Sequence, residues 1–186
     1  APYKALNYAK ALVKMYDSMA NVTIYNKVAA RLRLGENFFY VDSLQHALEE
    51  ERKAYRMAMK AGDSNLLSYV RQNLASTFEE IGEKDSCLYY ARLAYDLNAA
   101  NRFSCLLTFA SAYISVDSLN QAFSLLNQAM PKTAEDRYSV FYFQSQAAMK
   151  AHDFKSAKSF SDSAYHYLED MYRTALQGKA AYYTSF

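Results

Sequence analysis

Residues 82–97 read GEKDSCLYYARLAYDL, a helical pattern that follows a glycine and places Cys87 and Ala94 seven positions apart. Residues at that spacing lie on one face of an α-helix, two turns from each other. Small side chains on one face let a second helix pack closely, because helix backbones approach each other where side chains are short. The stretch therefore predicts the second half of a helical hairpin.

The same pattern recurs along the chain at steps of 40, 35 and 35 residues. Its pairs of small residues are Ala47/Ala54, Cys87/Ala94, Ala122/Ala129 and Ala157/Ala164. Nine residues before each pair lie Phe38, Phe78, Tyr113 and Ala148, with Asp42, Gly82, Asp117 or His152 at the intervening turn. Each unit predicts a first helix, a tight turn and a second helix with a seam of small residues. Because one such hairpin leaves an apolar face exposed, we expect the hairpins to stack.

Composition supports an all-helical chain. Of 186 residues, 52% are hydrophobic and 22% charged, while Gly and Pro number 4 and 2. Ile and Val together number 10, against 29 Ala and 19 Leu, which disfavours sandwiches, barrels and glycine-loop α/β enzymes. The predicted helices cover about residues 3–19, 23–40, 43–60, 64–81, 85–98, 102–116, 118–130, 134–150 and 154–170, with helix continuing to about 184. Short polar side chains predict N-caps at Asp42-Ser43, Asp63-Ser64, Asp85-Ser86, Asp117-Ser118, Thr133 and Asp153.

The repeat resembles the tetratricopeptide (TPR) family. Leu34-Gly35-Glu36-Asn37-Phe38 is similar to that family's first-helix motif, as are the segments Leu74–Phe78 and Phe109–Tyr113. The family's Trp is missing, and residues 144–148 lack the motif. The resemblance implies an all-α fold, a right-handed α-α superhelix of stacked hairpins. It also implies a single domain over residues 1–186, with units at about 23–62, 63–99, 100–132 and 133–170, a partial unit at 1–22 and a terminal helix at 171–186.

The resemblance also implies where a partner binds, because the first helix of each TPR unit lines a concave wall. The family's wall positions correspond here to Ala29, Leu32, Glu36, Phe39, Tyr69, Gln72, Ser76, Glu79, Ser104, Leu107, Ser111, Ile114, Ser139, Tyr142, Gln146 and Met149. These residues lack the Lys, Arg and Asn set with which some TPR domains hold a peptide's terminal carboxylate. We expect this wall to bind a protein or peptide in extended form, through amide hydrogen bonds and aromatic contacts.

Motifs for catalysis or metal binding are missing from the sequence. His46, His152 and His166 lie in no HExxH or Cys/His cluster, and there is no GxSxG, GxGxxG or phosphate loop. Cys87 and Cys105 match no zinc pattern. The runs Glu49-Glu50-Glu51 and Glu79-Glu80 are expected to be solvated, with a Glu49/Lys53 ion pair. We predict no enzymatic activity, no cofactor and no metal site.

Charge bears on the remaining partner classes. The net charge is +2, from 21 basic and 19 acidic residues without a basic stripe, which argues against nucleic acid. Helical-repeat RNA binding stays an alternative because pentatricopeptide repeats also have a 35-residue period. No apolar stretch is long enough to cross a membrane, so we expect no membrane contact within this segment. Self-association into a homo-oligomer, or a spacer role, is the other alternative.

Two further expectations concern context and surface. The Asp-Ser pairs before the predicted helices and the Tyr-rich helices resemble TPR segments of bacterial membrane-anchored sensors. That resemblance, with an initial residue other than Met, implies an extracytoplasmic (periplasmic) part of a longer bacterial protein. The 18 Tyr exceed what the repeat needs. The rings of Tyr89-Tyr90, Tyr165/Tyr167 and Tyr182-Tyr183 either cover the stacked helices or form a contact surface.

Overall fold

The computed structural model describes residues 2–97 and 99–184, and the side chains of 3–97 and 99–177. Within these ranges the chain forms nine α-helices and no strand. The helices are α1 (Pro2–Ser18), α2 (Ile24–Phe39), α3 (Leu44–Ala61), α4 (Ser64–Ile81), α5 (Lys84–Tyr95), α6 (Arg102–Ser115), α7 (Leu119–Asn127), α8 (Ala134–Lys150) and α9 (Phe154–Thr184). The predicted all-α fold class is confirmed.

The predicted helix boundaries agree with the structure at most positions, with clear differences at the ends of α5 and α7. Helix α5 ends at Tyr95 and α7 at Asn127, each three residues before its predicted end. After α7, Pro131 lacks an N–H group and restricts the residue before it, which disfavours a longer helix there. The predicted boundaries at positions 1, 98, 185 and 186 lie outside the described residues.

The turn inside each hairpin has the same backbone geometry in all four units. Its central residue takes a left-handed conformation, with φ of 58° at Asp42, 86° at Gly82, 60° at Asp117 and 59° at His152. The following N–H group donates to a carbonyl five residues earlier, that of Phe38, Phe78, Tyr113 or Ala148, at 2.9 Å each. This bond is the helix-ending pattern of a Schellman motif. The repeat register predicted from sequence is therefore also a register of backbone hydrogen bonds.

Helix capping follows the prediction at three sites and departs from it at three. The side chains of Asp63, Thr133 and Asp153 each accept from backbone N–H groups at a helix start. The predictions at Asp42-Ser43, Asp85-Ser86 and Asp117-Ser118 were wrong. Ser43 and Ser118 make no side-chain cap bond, and Asp85 lies inside α5. Asp42 and Asp117 serve instead as the left-handed residue that ends the preceding helix.

The helices pack into two compact units that divide between Ala112 and Tyr113. In the first unit, α2 pairs with α3 and α4 with α5. Their seam residues Ala47, Ala54, Cys87 and Ala94 are at most 1% exposed. Helix α1 packs on α2 through Leu6, Ala9 and Val13, which meet Ala30 and Leu34. The prediction of a single domain is not tested by this division and stays a prediction.

The second unit contains the end of α6 and helices α7 to α9. Its seam residues Ala122, Ala157 and Ala164 are buried, whereas Ala129 lies beyond the end of α7 and is partly exposed. Lys150 Nζ donates to the carbonyl of Ile114 at 2.6 Å and pairs with Asp117 at 2.9 Å. A cation at that place also suits the negative end of the α6 dipole.

A larger side chain in the seam should separate the paired helices. Because Ala54 is fully buried, Ala54→Leu is expected to lower the free energy of unfolding by about 1–3 kcal/mol. The matched variant Ala29→Leu, at an exposed position of α2, should change it by less than about 0.5 kcal/mol. Urea unfolding followed by circular dichroism measures both. Equal midpoints for the two variants would contradict a close-packed seam.

Candidate functional site

The predicted contact residues of the first unit lie on α2, α4 and α6. Besides Ala29, which is also exposed, nine of them are exposed or half-buried and are called the first-helix face below. This face consists of Glu36, Phe39, Tyr69, Gln72, Ser76, Glu79, Ser104, Leu107 and Ser111. Leu32 differs from the prediction, because helix packing leaves its side chain 9% exposed. A contact between any of these residues and a partner stays a prediction.

Hydrogen bonds across neighbouring repeats fix much of the first-helix face. Gln72 donates from its amide to the hydroxyl of Ser104, and Ser111 donates to a Glu79 oxygen at 2.7 Å. Both pairs are 32 residues apart, so the same link occurs twice, two helical turns apart. Asn101, which the sequence did not single out, donates to Gln72 at 3.0 Å. These side chains present donors and acceptors in fixed positions.

A cleft of about 200 Å³ opens on the first-helix face between α2 and α4. Glu36, Phe39 and Tyr40 line it from α2 and the segment that follows, and Ser76 and Thr77 line it from α4. Glu51 reaches it from α3. The structure therefore brings Glu36, Phe39 and Ser76, which were predicted on one wall, around a cleft that the sequence did not predict.

Glu51 is a buried carboxyl group, with 2% of the residue exposed. The Thr77 hydroxyl donates to its Oε1 at 2.9 Å, whereas its Oε2 has no hydrogen-bond partner among the described residues. Burial raises the pKa of Glu51 to about 7; the Thr77 bond lowers this pKa and the nearby Glu36 carboxylate raises it. Glu51 is therefore close to half-protonated at neutral pH.

The expectation of a solvated acidic run at Glu49–Glu51 was wrong for two of its three residues. Glu50 and Glu51 are buried, and Glu50 pairs with Arg31 at 2.7 Å and with Lys53 at 2.5 Å. Lys53 thus pairs with Glu50, where a bond to Glu49 was predicted. The signal was present in the sequence, because Glu51 lies four residues after Ala47 and three before Ala54, on the seam face of α3.

In the second unit the predicted contact residues share one face of α8. Tyr142 and Met149 are 43% and 49% exposed, and Gln146 between them is also exposed. The Tyr142 ring stacks on Tyr138 at a centroid distance of 6.1 Å. The two other predicted residues of this unit are half-buried: Ser139, earlier on α8, and Ile114, near the end of α6.

The tyrosine pairs divide between the two roles left open by the sequence. Tyr90 stacks on Phe78 with ring centroids 5.5 Å apart, while Tyr89 beside it is 59% exposed. Both line an open groove of about 580 Å³ between α3 and α5. Tyr167 stacks on Phe141 at 5.8 Å, while Tyr165 is 61% exposed. Within each pair one ring covers the helices and the other is available for contact; the side chains of Tyr182 and Tyr183 lie outside the described residues.

Reactive side chains are not gathered into a centre in the described parts of the chain. No three His, Cys, Asp or Glu residues there come close enough together to hold a metal ion. Cys87 and Cys105 are buried and unbridged, and burial raises the pKa of the Cys87 thiol to about 12. Within the same residues, each helix is too short or too polar to cross a membrane.

Comparisons with known proteins bear on the fold. No protein-family model matches the sequence, and no curated protein matches it. A Podosopora anserina protein with nearly identical TPR-like repeats, of the kinesin light chain type, has a TM-score of 0.73 and 13% identity, covering 92% of this chain and 89% of its own. BtubC (BKLC) from P. vanneervenii has 0.72 and 14%, covering 91% and 74%. RapI in its apo form has 0.78 and 16%, covering 94% and 65%. The chain has a TPR-like α-α repeat fold, as its sequence motifs predicted.

Glu51 should make stability depend on pH. Its pKa is raised from 4.5 to about 7 on folding, so the native state binds more protons between these values. The free energy of unfolding should therefore fall as pH rises through this window, by about 3 kcal/mol in total. Glu51→Gln should remove that part of the decline.

Urea unfolding at pH 4.5, 6 and 8 on wild type and Glu51→Gln measures the difference. Glu49→Gln, an exposed position on the same helix, is the control and should retain the decline. Parallel pH profiles for wild type and Glu51→Gln would show that Glu51 ionises as freely as an exposed acid.

Proposed function

We propose that this chain is a non-enzymatic protein-interaction module that binds an extended polypeptide along its first-helix face. The observation that supports this proposal most directly is a TPR-like repeat whose first-helix face combines fixed polar groups with the exposed ring of Tyr69 and the half-buried ring of Phe39. The resemblance to sensor segments supports a place for the module within a larger regulatory protein. On this proposal the chain acts as a scaffold, with recognition rather than chemical conversion as its role.

The chemistry of the first-helix face suits a polypeptide. Gln72, Ser104 and Ser111 offer amide and hydroxyl groups that can bond to a peptide backbone. Gln72 donates to Ser104 and Ser111 donates to Glu79, so these side chains are held in position before a partner arrives, which lowers the entropy lost on binding. Tyr69 is 47% exposed and supplies a large ring of the kind that dominates binding energy at protein interfaces.

The same face is poorly suited to nucleic acid. Glu36 and Glu79 contribute carboxylates, and none of the nine residues of the face is Lys or Arg. Phosphate backbones are bound through Lys and Arg with release of counterions. Repulsion of phosphate by the two acids favours the polypeptide reading over the RNA alternative.

Selection from a displayed library of random peptides tests the proposal on the full chain. Tyr69→Ala, on the first-helix face, should weaken selected peptides by about tenfold, as expected for loss of an exposed interface tyrosine. Tyr89→Ala is the matched control, because Tyr89 is 59% exposed on α5. Fluorescence anisotropy of labelled peptides gives both dissociation constants.

Two outcomes would contradict this proposal. One is a selection that yields no peptide binding above background. The other is a set of peptides that lose affinity with Tyr89→Ala and keep it with Tyr69→Ala, since binding would then lie at the groove between α3 and α5.

Self-association is a second candidate function, favoured by an exposed stripe on α9. Tyr165, Leu168, Tyr172 and Leu176 are each at least 43% exposed and follow one another at three- or four-residue spacing. Residues at these intervals form one apolar stripe of a helix. Such a stripe is typical of a helix that pairs with a second helix.

Sedimentation equilibrium of the full chain over a wide range of concentration tests this second function. Self-association predicts a mass that rises with concentration in wild type and stays monomeric in Leu168→Ser/Leu176→Ser. Glu169→Ser, an exposed change on the same helix, should behave as wild type. A monomeric wild type at every concentration would contradict homotypic assembly.

A further inference from the structure

The cleft between α2 and α4 contains two acids without a basic partner. Glu36 is exposed at its edge and forms no ion pair with a described residue, and Glu51 is buried at its base. Glu50, next in sequence to Glu51, is by contrast paired with both Arg31 and Lys53. The acids of the cleft thus differ from their neighbour in having no cation, although the Glu36 carboxylate lies close enough to Glu51 to raise the pKa of Glu51.

The repeat alignment shows that a carboxyl group at position 51 departs from the pattern of the fold. Because Ala47 and Ala54 correspond to Cys87 and Ala94, to Ala122 and Ala129 and to Ala157 and Ala164, Glu51 corresponds to Ala91, Leu126 and Ser161. None of these residues carries a charge: Ala91 and Leu126 are buried and apolar, at 0% and 1% exposed, and Ser161 is exposed and hydrogen-bonds to Ser145. A buried carboxyl with an unpartnered oxygen is costly where an apolar residue fits. Such departures from local packing rules tend to mark functional positions.

The remaining lining of the cleft suits a long basic side chain. The Phe39 ring is half-buried and the Tyr40 ring is 77% exposed, so both can flank an alkyl stem and attract a cation. Ser76 and Thr77 add hydroxyl oxygens that can accept hydrogen bonds. The volume of about 200 Å³ is below that of small-molecule pockets and corresponds to one side chain.

We propose that this cleft binds the cationic side chain of an Arg or Lys residue of a polypeptide lying on the first-helix face. This inference rests on the proposed function and names the chemistry that its partner presents at one point. The cation would lie between the Glu36 carboxylate at the edge and the Glu51 carboxyl at the base, and would donate to Glu51 Oε2 once a rotation of this side chain turns the buried, unpartnered oxygen toward it. A cation between two carboxylates forms charge-assisted hydrogen bonds, and Arg is the better suited of the two because guanidinium is weakly hydrated.

Titration of the ¹⁵N-labelled full chain with Nα-acetyl-arginine N-methylamide tests the proposal by amide chemical shifts. The citrulline analogue, which is close in shape and neutral, is the matched probe. We expect saturable shifts at Glu36, Phe39, Glu51 and Thr77 with the arginine probe, and affinity at least about tenfold weaker with citrulline. Equal affinities for the two probes, or shifts confined to other residues, would overturn the proposal.

Variants separate the role of the acids from general charge. Glu36→Gln, at an exposed position that does not endanger folding, and Glu51→Gln should each weaken the arginine probe by at least about tenfold. Glu49→Gln removes the same charge from an exposed position on α3 and should leave affinity unchanged. If Glu49→Gln weakened the affinity for the arginine probe equally, the effect would come from the net charge of the chain. The assignment of the binding site to the cleft would then be overturned.

The outcome is distinguishable from that of the proposed function. One possible result is that library-selected peptides depend on Tyr69 but carry no excess of Arg or Lys, and that the arginine probe causes no chemical-shift change. This result would overturn the proposed cation site in the cleft and would still support the interaction module. Specific binding of the arginine probe with no selectable peptide would support the cation site and contradict the wider face.

Discussion

Close approach of paired helices at small side chains is the constraint on which the structure depends. Ala47, Ala54 and Cys87 have no exposed surface, so the backbones of each hairpin meet where any larger group would separate them. The left-handed turn residue and its five-residue backward hydrogen bond set where the second helix begins. Turn and seam together bring the small residues opposite the end of the first helix.

The same constraint produces the candidate site. Gly35 favours this packing because a Cβ there would lie 3.1 Å from Glu51 Cγ, a tight contact, and without a Cβ helix α2 can lie close over the Glu51 side chain. Glu51 consequently occupies a seam position with its carboxyl buried and one oxygen unpartnered. The Glu51 carboxyl, which weakens the seam, lies at the base of a cleft on the proposed binding face. Desolvation of this carboxyl lowers the stability of the fold. The same desolvation is the reason why the carboxyl can bind a cation.

The sequence predicted the helices and their register because both depend on local spacing and on turn residues at fixed offsets. Prediction from the sequence was wrong where one residue type could serve either of two structural roles. Asp42 and Asp117 were read as caps, but their ability to adopt positive φ was used instead. Leu32 was misplaced because exposure depends on which neighbouring helix covers a face, whereas the burial of Glu51 could have been predicted from its spacing to Ala47 and Ala54. The hydrogen bonds between Gln72 and Ser104 and between Glu79 and Ser111 were not predicted. They depend on the distance at which adjacent repeats stack, and residue spacing along one helix gives no information about that distance.

On our proposal, a polypeptide with a basic residue lies across α2 and α4 on the first-helix face. Hydrogen–deuterium exchange of the full chain, with and without a library-selected basic peptide, locates binding by comparing exchange rates along the whole chain. We expect slower exchange in residues 32–40 and 69–80, with the segments of α5 unchanged. Protection concentrated in residues 84–95, on the opposite helices of the hairpins, would contradict it.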